Sequence, residues 1–295
     1  MDLRLVTYFV AVVDHGGITR AARALYLAQP SLSQAIHTLE DRLGVPLFDR
    51  SGRGVVLTAN GESFLRTARR ILHDIEVARA RVHEVRDRVR GRLVVAALPT
   101  LAVDPLPELA AGLRARHPGI VLSVTNPGDA PGIVADVRAG RAEVGFTELP
   151  ARADNLLQLA VDDQELVLAL PPELAAELPD PVPLAAVADL PLVLEPVRST
   201  TRALLESALG GPPRNVVVEC AHRPAIWRLV QRGAGATLLP RTLAARELGG
   251  SVVVRSTRPA LRRTVGLVLR PGPVSPAADA LLTVAGVSPP GPGPA

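Results

Sequence analysis

Residues 28–40 read AQPSLSQAIHTLE, and their side chains sort by type around a helix. Leu32, Ala35, Ile36 and Leu39 recur at i, i+3, i+4 and i+7 and form an apolar stripe. Gln29, Pro30, Ser31, Ser33, Gln34, His37 and Thr38 are left facing outward. Amide, hydroxyl and imidazole groups gathered on one helical face can exchange directional hydrogen bonds with the edges of DNA bases. The stretch holds neither Lys nor Arg, so the grip on phosphate has to come from its neighbours: Arg20 and Arg23 before it, Arg50 and Arg53 after it.

The flanking elements give those groups a frame. Asp2 caps a helix whose Leu5, Val6, Phe9, Val10 and Val13 follow helical spacing until Gly16 and Gly17 stop it. Thr19 is the N-cap candidate for a short helix, RAARAL, and YLA is a tight joint to the next helix, with Pro30 in its first turn. Two short helices meeting at such a joint form a helix-turn-helix. After Gly44, PLFDR, SGRG and VVLT read as strand, turn and strand, a wing with Arg50 and Arg53 at its tip.

Thr58 then caps a long helix. Its Phe64, Ala68, Ile71, Ile75, Ala78, Val82, Val85 and Val89 are spaced alternately four and three apart, a heptad seam that calls for a partner helix, most simply its own copy. A dimer places two reading heads side by side and predicts an interrupted inverted repeat of double-stranded DNA as the target.

Charge supports this division. Of the net charge of +4 over 295 residues, all sits in residues 1–90, where 14 Arg face 10 Asp and Glu; the remainder is neutral. Every cation is Arg, which first reflects coding bias. The single Cys220 offers neither a disulfide nor a thiolate cluster for a metal, so no metal and no cofactor is expected, and a cytoplasmic setting fits. No apolar run reaches the ~20 residues a bilayer needs, and no export signal is read at the N-terminus. The six His are scattered, the absence of Lys excludes a phosphate-binding loop of the G-x-x-x-x-G-K type, and nothing pairs a nucleophile with a base, so an enzyme is not expected.

Residues 18–62 resemble the winged helix-turn-helix of LysR-type transcriptional regulators. The resemblance rests on Ala21-Ala22, Gln29-Pro30, Leu39-Glu40, Leu43-Gly44, Leu47-Phe48, Arg50 and Leu57-Thr58 occurring together, and it continues along the whole chain. Ala28 departs from the family's usual Ser or Thr and Gln34 from its common Arg or Lys.

From Gly91 on, strands such as GRLVVAALPT, IVLSVTN and AEVGFTEL alternate with helices, a pattern that predicts a mostly parallel sheet covered on both faces. A second group starts near Asp162 with the strand QELVLAL, and the strand RTVGLVLR returns toward the first group, leaving two sheets, two crossovers and a cleft. This half is similar to the effector-binding region of the same family, itself like periplasmic solute-binding proteins. The resemblance implies a cleft lined by Pro99, Thr100, Leu101, Asn126, Gly128, Thr147, Arg198, Ser199, Thr200 and His222, holding a small-molecule effector such as a carboxylate or aromatic metabolite.

The resulting class is α/β overall: an N-terminal all-α winged helix-turn-helix (1–58), a linker and dimerisation helix (59–90) and a two-subdomain α/β effector domain of periplasmic-binding-protein type. Residues 91–161 and 265–290 form its first subdomain and 162–264 its second, and 291–295 form a Pro- and Gly-rich tail read as disordered. The function expected is a ligand-responsive, sequence-specific regulator acting as a homodimer or homotetramer. A winged regulator needing no ligand, or a solute-binding protein, are the competing readings.

Overall fold

The computed structural model describes residues 2–49, 55–83 and 89–288, and within the long linker helix it leaves undescribed the side chains of 76, 77 and 79–83. Arg50 and Arg53, the side chain of Val82, residue Val85 and the tail 291–295 therefore lie outside the described residues.

Three helices build the first unit: α1 (Leu3–Asp14), α2 (Ile18–Ala24) and α3 (Gln29–Leu43). The Asp2 carboxylate accepts the Arg4 N–H at 2.9 Å and caps α1, and Gly16, at φ 63°, takes the left-handed turn that ends it. The cap of α2 is Gly17 and not Thr19, which sits inside the helix: the Gly17 carbonyl takes the Ala21 N–H at 3.0 Å, so the helix starts two residues earlier than a Thr19 cap would place it. Leu5, Val6, Phe9 and Val12 of α1 pack on Ala21, Ala22, Leu32, Ile36 and Leu39, a core in which small α2 residues allow close approach.

A two-stranded wing follows, β1 (Phe48–Asp49) antiparallel to β2 (Val56–Leu57), then α4 (Ala59–His83). The Thr58 hydroxyl accepts the Gly61 N–H at 3.0 Å, the expected cap of α4, and donates to the Pro46 carbonyl at 2.8 Å. Two of the residues assigned to the dimer seam are corrected here. Phe64 meets Phe9 with ring centroids 5.1 Å apart, and Ala68 is fully buried in the same core. Heptad spacing marks the buried face of a helix, and the first two turns of this face are used up inside the chain. Ile71 and Ile75 are half-buried and Ala78 exposed.

The second half comprises β3 (Arg90–Ala97), α5 (Leu106–Arg116), β4 (Gly119–Thr125), α6 (Ala130–Arg138), β5 (Val144–Leu149), β6 (Leu157–Leu170), α7 (Pro172–Ala176), β7 (Val182–Pro183), α8 (Leu184–Val187) and β8 (Leu192–Leu194). It continues through α9 (Thr200–Leu209), β9 (Val216–Glu219), α10 (Arg223–Gln231), β10 (Thr237–Pro240), α11 (Arg241–Glu247), β11 (Val253–Arg255), β12 (Thr257–Arg258), β13 (Leu261–Leu269) and α12 (Pro276–Val284).

Two expectations change. The strand read as starting at Gln164 is a single 14-residue strand from Leu157, and it splices the two groups into one hydrogen-bonded sheet ordered β10-β6-β13-β5-β3-β4, with β11 also on β6. Its first half alternates polar and apolar residues around Asp162-Asp163, which hides it beside the apolar second half. The sheet is also mixed. β3 runs parallel to β4 and β5, whereas β13 is antiparallel to β5 and β6, and β10 and β11 are antiparallel to β6, because the returning chain re-enters from the opposite end. Beyond the crossover, Leu166, Leu168 and Leu170 pack to one side and Val167 and Ala169 to the other, two cores on opposite faces of one strand. The β6–β13 register slips between Val265 and Gly266, whose partners are Asp162 and Ala160.

Candidate DNA-reading face and inter-subdomain cleft

On α3 the stripe Leu32, Ile36 and Leu39 is buried, and Gln29, Pro30, Ser31 and Gln34 stand exposed on the outer face. Ser33 and His37 are half-buried, with His37 Nδ1 lying 3.7 Å from Glu40 Oε2. Ala28, the N-cap residue, supplies no side-chain cap, so the first-turn N–H groups keep their capacity to meet phosphate. Arg23 is exposed, and its guanidinium makes no hydrogen bond or ion pair among the described residues. Arg20 behaves differently: its Nε donates to the His15 carbonyl at 2.6 Å and its Nη2 to the Gly16 carbonyl, so it closes the carboxyl end of α1 and has less left for DNA.

The residue that the reading of α3 underused is Glu40. Only 7% exposed, it accepts the Leu47 N–H at 2.8 Å and the Phe48 N–H at 3.2 Å through Oε1, and so ties the entry of the wing to the reading helix. The signal was present in the sequence: a carboxylate directly beside the apolar stripe, four residues after Ile36.

A second site opens beyond the carboxyl ends of β3 and β8, where a cavity of about 190 Å³ lies between the subdomains. Of the residues assigned to it, Pro99, Thr100, Gly128, Arg198, Ser199 and Thr200 line it. Leu101, Asn126, Thr147 and His222 do not. Leu101 is fully buried in the first subdomain's core, because the turn after β3 directs it inward. Asn126 is exposed and spends its Oδ1 on the Gly128 N–H at 2.9 Å. Thr147 is fully buried within β5, its hydroxyl without a partner, and His222 is exposed at the start of α10. Thr100 lies in a run of turns ahead of α5, is 5% exposed, and its hydroxyl also has no partner.

Two charged wall residues were not assigned from the sequence. Glu195, directly after β8, pairs with Arg223 at the start of α10 and accepts the Ser199 hydroxyl, which explains why Ser199 leaves α9 uncapped by its side chain. Arg198 is exposed and unpaired among the described residues. Among the described residues no cluster of His, Cys, Asp and Glu is placed to hold a metal, and no helix is long and apolar enough to cross a membrane.

Comparisons with known proteins match both halves of the chain. Residues 3–62 match the model of the bacterial regulatory helix-turn-helix protein, lysR family, and residues 86–286 that of the LysR substrate binding domain. The chain is 32% identical over 251 residues to the HTH-type transcriptional regulator ClcR of Pseudomonas putida, covering 83% of this chain and 84% of that protein. It is 31% identical over 250 residues to BsdA of Bacillus subtilis, covering 82% and 85%. Among solved structures, full-length CbnR in complex with its target DNA superposes with a TM-score of 0.63 at 26% identity, covering 97% of this chain and 99% of that one. A full-length OxyR variant from Pseudomonas aeruginosa shares the fold, with a TM-score of 0.79 at 24% identity over 97% of this chain and 94% of that one.

Proposed function

The chain belongs to the LysR family of DNA-binding transcriptional regulators with effector-binding domains, and from that premise we propose how its own residues do the work. Gln29, Ser31, Ser33 and Gln34 read base edges in the major groove, with Pro30 setting the helix entry and His37 at the end of the reading face. Arg23, with Arg50 and Arg53 of the wing, holds phosphate. The observation that carries this is the split of α3 into a buried apolar stripe, Leu32, Ile36 and Leu39, and an exposed N-terminal face of Gln29, Ser31 and Gln34, with Ser33 half-buried beside it. A small organic acid binds in the inter-subdomain cleft against Thr100, Ser199 and Thr200. There it favours one angle between subdomains, and with it one assembly on DNA. A ligand moves such an equilibrium only by its differential affinity for the two states, commonly about 1–3 kcal/mol. Acting on the chromosome, the protein works in the cytoplasm.

Fluorescence anisotropy on a promoter duplex and a scrambled duplex tests the division of roles. Gln29→Ala or Gln34→Ala is expected to lose about 1–3 kcal/mol on the promoter alone, while Arg23→Ala weakens both duplexes equally and makes the salt dependence shallower by about one. Loss of discrimination from Arg23→Ala, with the glutamine variants neutral, overturns it.

Dimers form through α4 at Ile71, Ile75, Ala78 and Val82, below the part of the seam that is buried within the chain, and set two heads on an interrupted inverted repeat; pairs of dimers make the tetramer. Glu at both Ile71 and Ile75 is expected to halve the mass, or more, in light scattering, because two charges per helix cannot be buried in a helix pair. An unchanged mass rejects α4 as the interface.

A further inference from the structure

The cleft contains a charge that a site built for simple acids has no use for. Glu195 faces the cavity beside Arg198, Arg223 and the unpartnered hydroxyl of Thr100, and its side chain is only 14% exposed, that of Arg223 17%. One carboxylate oxygen takes the Arg223 Nε and the other takes the Ser199 hydroxyl at the N-terminus of α9, a ten-residue helix. Arg202 Nη1 donates to the Glu195 backbone carbonyl at 3.2 Å and holds the residue in place from behind. The same three residues, Thr100, Glu195 and Arg223, also wall a smaller inner cavity of about 30 Å³, next to Trp227, the only tryptophan of the chain.

Arg223 and the Ser199 hydroxyl are groups that would otherwise receive an anionic ligand. Here they already hold an anion that belongs to the protein. A ligand that displaced Glu195 would strand a mostly buried carboxylate without its cation, a costly state. A ligand that leaves the pair intact meets an acceptor-only group, because an ionised carboxylate has lone pairs to offer and no proton. Continuing from the reading of this cleft as the effector site, we infer that Glu195 is a resident counter-anion that sets effector specificity. The effector it admits carries a hydrogen-bond donor, an ammonium or a hydroxyl, facing Glu195, and a single acid group facing Arg198 and the α9 N-terminus. Amino acids and hydroxy acids fit this description. Dicarboxylates, whose second charge would lie against Glu195, are excluded by repulsion, a selection made against the wrong ligand as much as for the right one.

Isothermal titration of the full chain, with Trp227 fluorescence as a local reporter, tests the inference in two arms. In the first, inorganic sulfate is titrated into the wild type, Glu195→Gln and the double variant Glu195→Gln/Arg223→Gln. Glu195→Gln keeps the acceptor for Ser199 and frees Arg223, so it is expected to bind sulfate at least tenfold more tightly than the wild type, and the double variant is expected to lose that gain. Equal sulfate binding by the wild type and Glu195→Gln overturns the resident-anion role. In the second arm, sets of one carbon skeleton are compared as α-amino acid, α-hydroxy acid, plain acid and dicarboxylate. The wild type is expected to prefer the donor-bearing members at least tenfold, and Glu195→Gln to lose or invert that preference. A wild type that prefers the dicarboxylate, with Glu195→Gln unchanged, overturns the specificity role. If no organic acid changes promoter binding while sulfate separates the variants as stated, the cleft's role as effector site fails and Glu195's role as resident anion stands.

Discussion

Replacing Glu40 by Ala is expected to cost the DNA-binding unit about 3 kcal/mol and to weaken promoter and scrambled DNA together. Among the described residues, Glu40 is the only side chain that accepts the Leu47 and Phe48 N–H groups, at 2.8 and 3.2 Å, and both residues are buried, so water cannot replace it. Hydrogen bonds to a charged acceptor contribute about 1.5–3 kcal/mol each, and a buried donor left without a partner loses about 1–3 kcal/mol. The wing is held at this point from both sides. The Leu47 N–H goes to Glu40 while the Leu47 carbonyl takes the Thr58 N–H at 3.0 Å, and a Cβ at Gly61 would collide with that same carbonyl. Losing Glu40 therefore frees the base of the wing from α3. Glu40→Gln keeps one neutral acceptor and should cost about half as much. Calorimetry of the full chain, resolving the transition of the DNA-binding unit, checks the stability, and anisotropy on the two duplexes checks the function. Both variants within about 0.5 kcal/mol of wild type would show that the wing is fixed by something else.

How far the sequence reveals this protein depends on which interactions repeat along the chain. The stripe on α3 repeats, so the reading face is legible down to Gln29 and Gln34. The wing is legible as a hairpin, but its clamp is not, since a single Glu beside a stripe looks like a solvated residue until the distances to Leu47 and Phe48 are known. Heptad spacing from Phe64 to Val89 is equally plain, yet periodicity gives a face and not the identity of what covers it. Phe9 covers Phe64 from within the chain. In the cleft, the family resemblance names Thr100 and Ser199, and both follow the carboxyl ends of strands, where open α/β sheets bind ligands. Glu195 and Arg223 are far apart in sequence and each is an ordinary charge there. Only folding makes them a pair in a wall. The same holds for β6, whose two halves follow different patterns because one is paired along β13 and the other is packed on both faces.

Arg263 is where the two subdomains are stapled, and Arg263→Ala is expected to be the most damaging single change in the effector half, at about 3–5 kcal/mol. The residue lies on β13, 6% exposed, two residues before the register slip that falls between Val265 and Gly266. Its Nε and Nη2 donate to Gln164 Oε1 on β6 at 3.0 and 2.8 Å, and its Nη1 donates to Glu148 Oε1 on β5 at 2.7 Å. One guanidinium thus joins three adjacent strands at the crossover. Burial pushes the Arg263 guanidinium below its ordinary range, and the Glu148 carboxylate opposes that shift, so the cation is held in place by a partner that would be stranded without it. Removing only the cation leaves the Glu148 carboxylate and the Gln164 amide oxygen without this donor. Removing both charges, as Arg263→Met with Glu148→Leu, should recover more than half of the loss, because a buried pair is costly to break and far less costly to replace. Urea unfolding followed by Trp227 fluorescence, which reports the second subdomain, measures both variants. A single-variant loss below about 1 kcal/mol, or a double variant no better than Arg263→Ala, would mean that the crossover is held by the strand ladder alone. The alternative carries a functional consequence for the change of subdomain angle proposed above: with the staple intact, that change would be confined to the few residues of the slip.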